Sequence, residues 1–188
     1  MLKSFMLTAA TSALIASGAA ADYTLTFLHT NDIRSRVESI NKYGSTCNAD
    51  GDVTMDEVLT VLPSQNTLST FFVSDATIVA ALENGVSKME EGAGRFPQVA
   101  GMSFTVNSSA EDGSRISNVR VSGSAIDLNK TYGVVSNNYV RNGGDGYKMF
   151  RDAENAYDYG PDLVDVTAEY IAKGGSYTAY TNGRIKVK

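Results

Sequence analysis

A cluster of glycines around one aspartate is the segment of this 188-residue sequence best suited to hold a small molecule. Residues 136–147 read SNNYVRNGGDGY, with Gly143 and Gly144 directly before Asp145. Glycine allows positive φ and a close approach of the backbone to a ligand, and an ionised carboxylate can accept hydrogen bonds from two sugar hydroxyls. Tyr139 supplies a flat ring on which a nucleobase can stack. These residue types could hold a nucleoside, but a GGDG run alone is more typical of an ordinary turn.

The end of the first predicted strand holds a candidate metal ligand. Residues 28–34 read LHTNDIR, and an Asp followed two residues later by a His would present two ligands to one divalent cation. Arg34 occupies the second position here, and a guanidinium cannot bind a cation. Asp32 alone falls short of the ligand set that a two-metal site requires. It is therefore either a residual metal ligand or a carboxylate that caps the loop by accepting from nearby amides.

Two other candidates are weaker. Residues 94–101, GRFPQVAG, indicate a loop entering a strand, and Phe96 is more typical of a core anchor than of a ligand platform. His29 is the single histidine of the chain and hence the sole candidate for a His-based triad. A hydrogen bond to the backbone explains it more simply.

Composition limits the classes of function before any motif is considered. Sixteen Lys and Arg against 21 Asp and Glu give a net charge of −5, which argues against a nucleic-acid-binding domain, normally basic. One His and one Cys exclude a zinc finger and a disulfide framework. With 43% hydrophobic and 20% charged residues, we expect one packed domain and little more.

The first 21 residues have the pattern of a cleavable secretory signal. Lys3 gives the positive start, residues 5–15 are mostly apolar, and Ala21 ends a run of small residues. A buried core helix is the alternative. We expect a mature chain from Asp22 that is periplasmic or secreted, with no membrane span because no later segment is apolar enough. Cys47 would then be a free thiol, half of an intermolecular bridge, or a cysteine whose partner is lost.

The elements that must position these residues indicate an α+β fold. Capping residues support two of the helices: Thr54 and Glu57 fit a capping box, and Ser74 fits an N-cap. Residues 41–51 indicate a linker. The predicted strands are residues 23–28, 68–73, 99–106, 116–121, 131–136 and 183–188, and the predicted helices are residues 55–62, 75–89 and 162–173.

Taken together, these segments resemble the bacterial exported 5′-nucleotidase family, which includes UDP-sugar hydrolase and 2′,3′-cyclic phosphodiesterase relatives. The matching segments, in the family's order, are GDVT (51–54), VLP with Asn66 (61–66), LENG (82–85), GRFPQ (94–98), KTY (130–132) and GGDGY (143–147). The resemblance implies that residues 51–188 are the family's C-terminal substrate-specificity domain, a mixed sheet with packed helices. LHTND (28–32) looks like the family's opening strand and metal loop. Residues 22–47 would then be a remnant of the metallophosphatase domain that precedes it, a single strand that hangs free or joins a sheet edge.

The resemblance also assigns roles. Tyr139 stands where the family usually has a base-stacking Phe, Asp145 matches its sugar-contacting Asp, and Gly143 and Gly144 belong to the same loop. The family's Pro-Phe-Gly-Asn reads PSQN at residues 63–66, so Asn66 is kept while one half of the aromatic clamp is lost.

The parts that the family uses for catalysis are missing here. The Gly-Gly-Ile-Arg stretch with its phosphate-contacting arginine, the catalytic His and most ligands of the family's two divalent metal ions have no counterpart in this sequence. We therefore expect a truncated family member without a metal cofactor, inactive alone, that binds a nucleoside or nucleotide weakly. The alternatives are a structural or interaction module whose exposed apolar surface is covered by a partner protein, a decaying gene product, and a hydrolase completed by a partner that supplies the metal domain.

Overall fold

The computed structural model describes residues 24–28, 53–174 and 181–188. Their α+β fold agrees with the predicted class. The strands are β1 Thr24–Leu28, β2 Leu68–Ser74, β3 Gln98–Ala100, β4 Met102–Val106, β5 Ile116–Val121, β6 Ser124–Ala125, β7 Thr131–Asn137, β8 Glu154–Tyr157 and β9 Ile185–Val187. The helices are α1 Met55–Val61, α2 Asp75–Val86, α3 Asn138–Arg141 and α4 Leu163–Gly174, and 3₁₀ turns occupy Gly144–Gly146 and Lys148–Phe150.

The strands form a five-stranded sheet in the order β3-β1-β7-β2-β8 and a four-stranded sheet in the order β6-β5-β4-β9. Strands β2 and β7 pair antiparallel along seven residues, from Leu68 opposite Asn137 to Ser74 opposite Thr131. The start of β2 and the end of β7 therefore lie at the same end of these two inner strands. This register brings the segment before β2, which holds Asn66, next to the segment after β7, which holds Tyr139 and the GGDG loop.

The position of β1 corrects a sequence-based expectation. The sequence indicates that a single strand within residues 22–47 hangs free or joins a sheet edge. Instead β1 lies inside the sheet, where Thr26 is paired with Ala100 on one side and with Val135 on the other. The inner position covers an edge that β7 would otherwise expose. The division of the chain at residues 47–51 into a remnant and a domain stays a prediction.

Strand 99–106, predicted as one element, is two strands in different sheets. Gly101 has a φ of +73°, a left-handed value that glycine adopts at no steric cost, and it separates β3 from β4. β3 pairs with β1, whereas β4 pairs with β5 and β9. The continuous apolar pattern conceals this change of sheet, because both strands contribute buried side chains to the same core.

The core joins both sheets to α2. Phe71 and Val134 from the first sheet and Phe104 from the second belong to one buried cluster with Ile78 and Leu82 of α2. Ser74 caps α2 as predicted, since its side chain accepts from the Thr77 amide. Helix α2 ends at Val86, three residues before the predicted end, and residues 87–92 continue as turns.

Gly85 lets α2 approach the loop that follows Gly146. A Cβ on Gly85 would lie 2.6 Å from Pro97 Cδ and 2.8 Å from the Tyr147 hydroxyl oxygen, well inside van der Waals contact. The glycine is therefore required by close packing of the helix against these two side chains.

We predict that Gly85→Ala destabilises the protein although alanine favours a helix. The gain in helix propensity is about 1 kcal/mol, whereas overpacking a dense core costs about 1–3 kcal/mol, so the net loss should be at most about 2 kcal/mol. Urea denaturation measures it. The matched control is Gly174→Ala in α4, where no described heavy atom lies within 4 Å of the new Cβ. Equal stability of the two variants would contradict this account.

Candidate functional site

The short helix α3 presents Tyr139 at the end of β7. The buried Asn137 caps α3, because its side-chain oxygen accepts from the Val140 amide at 2.8 Å. Within α3, Val140 is fully buried while Tyr139 keeps 41% of its surface exposed. The cap thus fixes which residue of the helix enters the core and which one faces outward.

Tyr139 and Asp145 form one unit with the glycine between them. The Tyr139 hydroxyl donates to the Asp145 carboxylate (Oδ1) at 3.0 Å. The ring packs directly on Gly144, where any Cβ would overlap its carbon atoms. The structure therefore brings Tyr139, Asp145, Gly143 and Gly144 together, and Gly144 seats the aromatic ring.

Asp145 has an unusual backbone conformation. Its φ of +48° and ψ of +28° are left-handed, and holding a non-glycine residue there costs on the order of 1–3 kcal/mol. Asn84 on α2 supports this conformation, because its Nδ2 donates to the Asp145 carbonyl oxygen at 3.1 Å. The Oδ1 of Asn84 fills the space where a Cβ of Gly146 would lie, 2.5 Å away. In the sequence Asn84 belongs only to the LENG stretch, and no local pattern predicts that it supports the Asp145 backbone.

Tyr147 anchors the far end of the loop in the core. Its side chain is fully buried and donates a hydrogen bond to the Arg95 carbonyl oxygen at 2.7 Å. The ring stacks on Phe150 with centroids 5.7 Å apart. Burial raises the pKa of the Tyr147 phenol above its usual value, the negative charge of Asp145 adds to the increase, and Arg95 opposes it.

Asn66 lies beside α3 but is not bonded to the loop. The next residue, Thr67, exchanges hydrogen bonds with Asn138: its amide donates to Asn138 Oδ1 at 3.2 Å, and its carbonyl accepts from the Asn138 amide at 3.0 Å. The Asn66 carbonyl accepts from the Leu163 amide at 2.8 Å. Among the described residues its half-buried side chain forms no hydrogen bond with Tyr139 or Asp145.

A second group of polar residues supports the loop from the side of β8. Arg141 lies 3.5 Å from the Asp158 carboxylate, measured from Nε to Oδ1. Asn142 donates to the Asn138 carbonyl at 2.8 Å and to Asp158 Oδ2 at 3.4 Å. Arg151 Nε donates to the Asn142 carbonyl at 3.0 Å. No sequence motif indicated Asp158 or Arg151, because these contacts join segments that only the fold brings together.

Comparison with known proteins identifies the family. Residues 6–152 match the family model described as 5′-nucleotidase, C-terminal domain. The chain belongs to this family. It is 38% identical over 142 residues to the trifunctional nucleotide phosphoesterase protein YfkN of Bacillus subtilis, covering 72% of this chain and 10% of that protein. It is 27% identical to human 5′-nucleotidase, covering 85% of this chain and 28% of the human protein.

Solved structures give the same result. A 5′-nucleotidase precursor from Thermus thermophilus superposes with a TM-score of 0.76 at 33% identity, covering 87% of this chain and 31% of that chain. NAD nucleotidase of Haemophilus influenzae gives a TM-score of 0.70 at 26% identity, covering 87% of this chain and 29% of its own. The family and the α+β fold expected from the sequence are thereby confirmed. The chain spans only about a tenth to a third of the length of these relatives.

The predicted metal ligand cannot be compared with the structure. Asp32, together with His29, Cys47 and the predicted signal at residues 1–21, lies outside the described residues. Within the described ranges, no group of three or more His, Cys, Asp and Glu side chains is suited to hold a metal ion. The donor set of that part of the chain therefore does not fit the family's pair of divalent ions. None of its helices is long and apolar enough to cross a membrane.

We predict that Tyr147 makes the protein less stable at alkaline pH. The unfolded chain ionises this phenol near pH 10, whereas the folded chain holds it protonated because burial raises its pKa. The contribution of the protonated phenol to the free energy of unfolding is therefore fully present below about pH 10. Above that pH it decreases by up to about 1.4 kcal/mol per pH unit.

Chemical denaturation at several pH values between 8 and 11 measures this slope. Tyr147→Phe, which removes the ionisable hydroxyl, should fall less steeply than the unsubstituted protein, although it starts from lower stability because the bond to Arg95 is lost. Tyr170→Phe is the control, since Tyr170 on α4 is 73% exposed. Equal slopes for Tyr147→Phe and the unsubstituted protein would refute the prediction.

Proposed function

We propose that this chain binds a nucleoside or nucleotide at the GGDG loop. Tyr139 would stack on the base, and the Asp145 carboxylate would accept hydrogen bonds from the sugar hydroxyls. The hydrogen bond of 3.0 Å between the Tyr139 hydroxyl and Asp145 carries this proposal, because it joins an aromatic face to an acceptor in one fixed unit. Gly144 seats the Tyr139 ring and Gly143 admits the Arg151 guanidinium, so both glycines shape the site, and Asn66 borders it through its neighbour Thr67.

We expect the binding to be weak. Residues 63–66 offer no second aromatic ring, so the base is held from one side. One stacking contact contributes about 1–3 kcal/mol, and a total near −4 kcal/mol corresponds to a millimolar dissociation constant. The relatives named nucleotide phosphoesterase and 5′-nucleotidase support nucleotides as the ligand class.

The family role is hydrolysis of nucleotide phosphate esters in nucleotide catabolism, and we propose that this chain does not perform it alone. Two-metal hydrolysis requires ligands that clamp both the attacking and the leaving oxygen. The donor set of the described residues does not supply such a clamp. The proposed place of action is the periplasm or the exterior, reached through the signal at residues 1–21.

A second candidate is a hydrolase completed by another chain. The exposed apolar side chains of α1 favour it, since Met55 and Leu59 are 46% and 48% exposed and lie one helical turn apart. A partner that covers this face could supply the metal domain. Release of phosphate from AMP by the mixture, but by neither chain alone, would establish this candidate over binding only.

The binding proposal is tested by calorimetric titration with adenosine. We expect millimolar binding by the full chain, loss of measurable heat with Tyr139→Ala, and partial retention with Tyr139→Phe, which keeps the ring and loses the bond to Asp145. Tyr170→Ala is the matched control because it removes an exposed tyrosine from α4. Equal heats from Tyr139→Ala and the unsubstituted protein would reject the site.

A further inference from the structure

The guanidinium of Arg151 lies directly against the GGDG loop. The 3₁₀ turn Lys148–Phe150 returns the chain toward the loop, with the Arg151 amide bonded to the Lys148 carbonyl at 3.1 Å. From there Nε donates to the Asn142 carbonyl at 3.0 Å. A Cβ on Gly143 would lie 2.5 Å from Nε and 3.1 Å from Cζ and Nη2. Glycine at position 143 therefore admits the guanidinium, and the Nε bond fixes its orientation.

The outer nitrogens of Arg151 are available to a ligand. Arginine carries five N–H donors. Of the three guanidinium nitrogens of Arg151, only Nε has a hydrogen-bond partner among the described residues. Two other arginines of the fold are paired with carboxylates: Arg115 lies 2.9 Å from Glu90 and Arg141 lies 3.5 Å from Asp158. The exposed Arg151 is held in place by the Asn142 carbonyl and forms no ion pair with a carboxylate of the described residues.

Two more cations flank the same loop. Arg95 Nη1 lies 3.4 Å from the position of a Cβ on Gly146 and bonds only the Ser87 hydroxyl, at 3.4 Å, among the described side chains. Lys148 is exposed in the turn after Tyr147 and forms no ion pair with the described carboxylates. Together with Arg151, these side chains place three cations around a loop whose own carboxylate is Asp145, and their charge favours an anionic ligand over a neutral one.

We propose that Arg151 binds the phosphate group of the ligand, so that the site selects nucleotides over nucleosides. The proposal rests on the function proposed above and adds the ligand class. A guanidinium binds phosphate through two parallel N–H···O bonds, and the Nη atoms of Arg151 are the donors for them. The same chemistry would serve a 5′-phosphate, a 3′-phosphate or free inorganic phosphate.

The test compares adenosine, 5′-AMP, 3′-AMP and inorganic phosphate on three proteins at low and at physiological salt. The proteins are the unsubstituted chain, Arg151→Ala and Arg120→Ala. Arg120 is a matched control, because it is an exposed arginine that donates to a carbonyl, that of Gly123, at 2.9 Å and lies on the β5–β6 hairpin. Thermal unfolding of each variant verifies that it is folded.

We expect at least one AMP isomer to bind the unsubstituted chain about tenfold or more tightly than adenosine, the size of a charge-assisted hydrogen bond. Arg151→Ala should abolish that preference while changing adenosine affinity less than about twofold, and Arg151→Lys should keep part of it. Arg120→Ala should keep all of it. The better AMP isomer identifies the position of the phosphate.

Three results would overturn the proposal while leaving nucleoside binding intact. These are equal affinity for adenosine and both AMP isomers, an equal loss for adenosine and AMP in Arg151→Ala, and phosphate alone binding as tightly as AMP. Failure of the unsubstituted chain to bind adenosine and both AMP isomers would instead refute the proposed function, and this inference with it.

Discussion

The left-handed backbone of Asp145 is the constraint on which the candidate site depends. A residue with a Cβ rarely adopts a φ of +48°, and at Asp145 this conformation is supported from three directions. Asn84 binds its carbonyl, Tyr139 binds its carboxylate, and Tyr147 fixes the following turn in the core. Because these partners lie on α2, on α3 and beside Arg95, the orientation of one carboxylate is determined by the packing of the whole domain.

The glycines around Asp145 are required for different reasons. Gly144 makes room for the Tyr139 ring, and Gly143 and Gly146 combine positive φ with close contacts to Arg151 and Asn84. Turn formation alone would need only the positive φ. The loop therefore does more than reverse the chain, since each glycine admits the side chain of Tyr139, Arg151 or Asn84 against the backbone.

Local sequence patterns predicted those helices and strands whose formation depends on residues close together in the chain. Ser74 predicted the start of α2, and the predicted strands at residues 68–73 and 131–136 correspond to β2 and β7. Tyr139 and Asp145 were indicated by residue type and by the family resemblance. The inner position of β1, the change of sheet at Gly101 and the role of Asn84 were not predictable in this way. The bond from Asn84 to Asp145 joins residues 61 positions apart, and strand neighbours depend on long-range pairing that no local pattern encodes.

The central claim is that a nucleotide occupies the GGDG loop, and an NMR titration of the ¹⁵N-labelled full chain with 5′-AMP tests it most directly. The account predicts that the amide shifts of Tyr139, Gly144, Asp145 and Arg151 move together along one saturating curve, while those of the β5–β6 hairpin stay in place. Saturating shifts elsewhere in the chain with an unchanged loop, or no shifts at millimolar AMP, would contradict it.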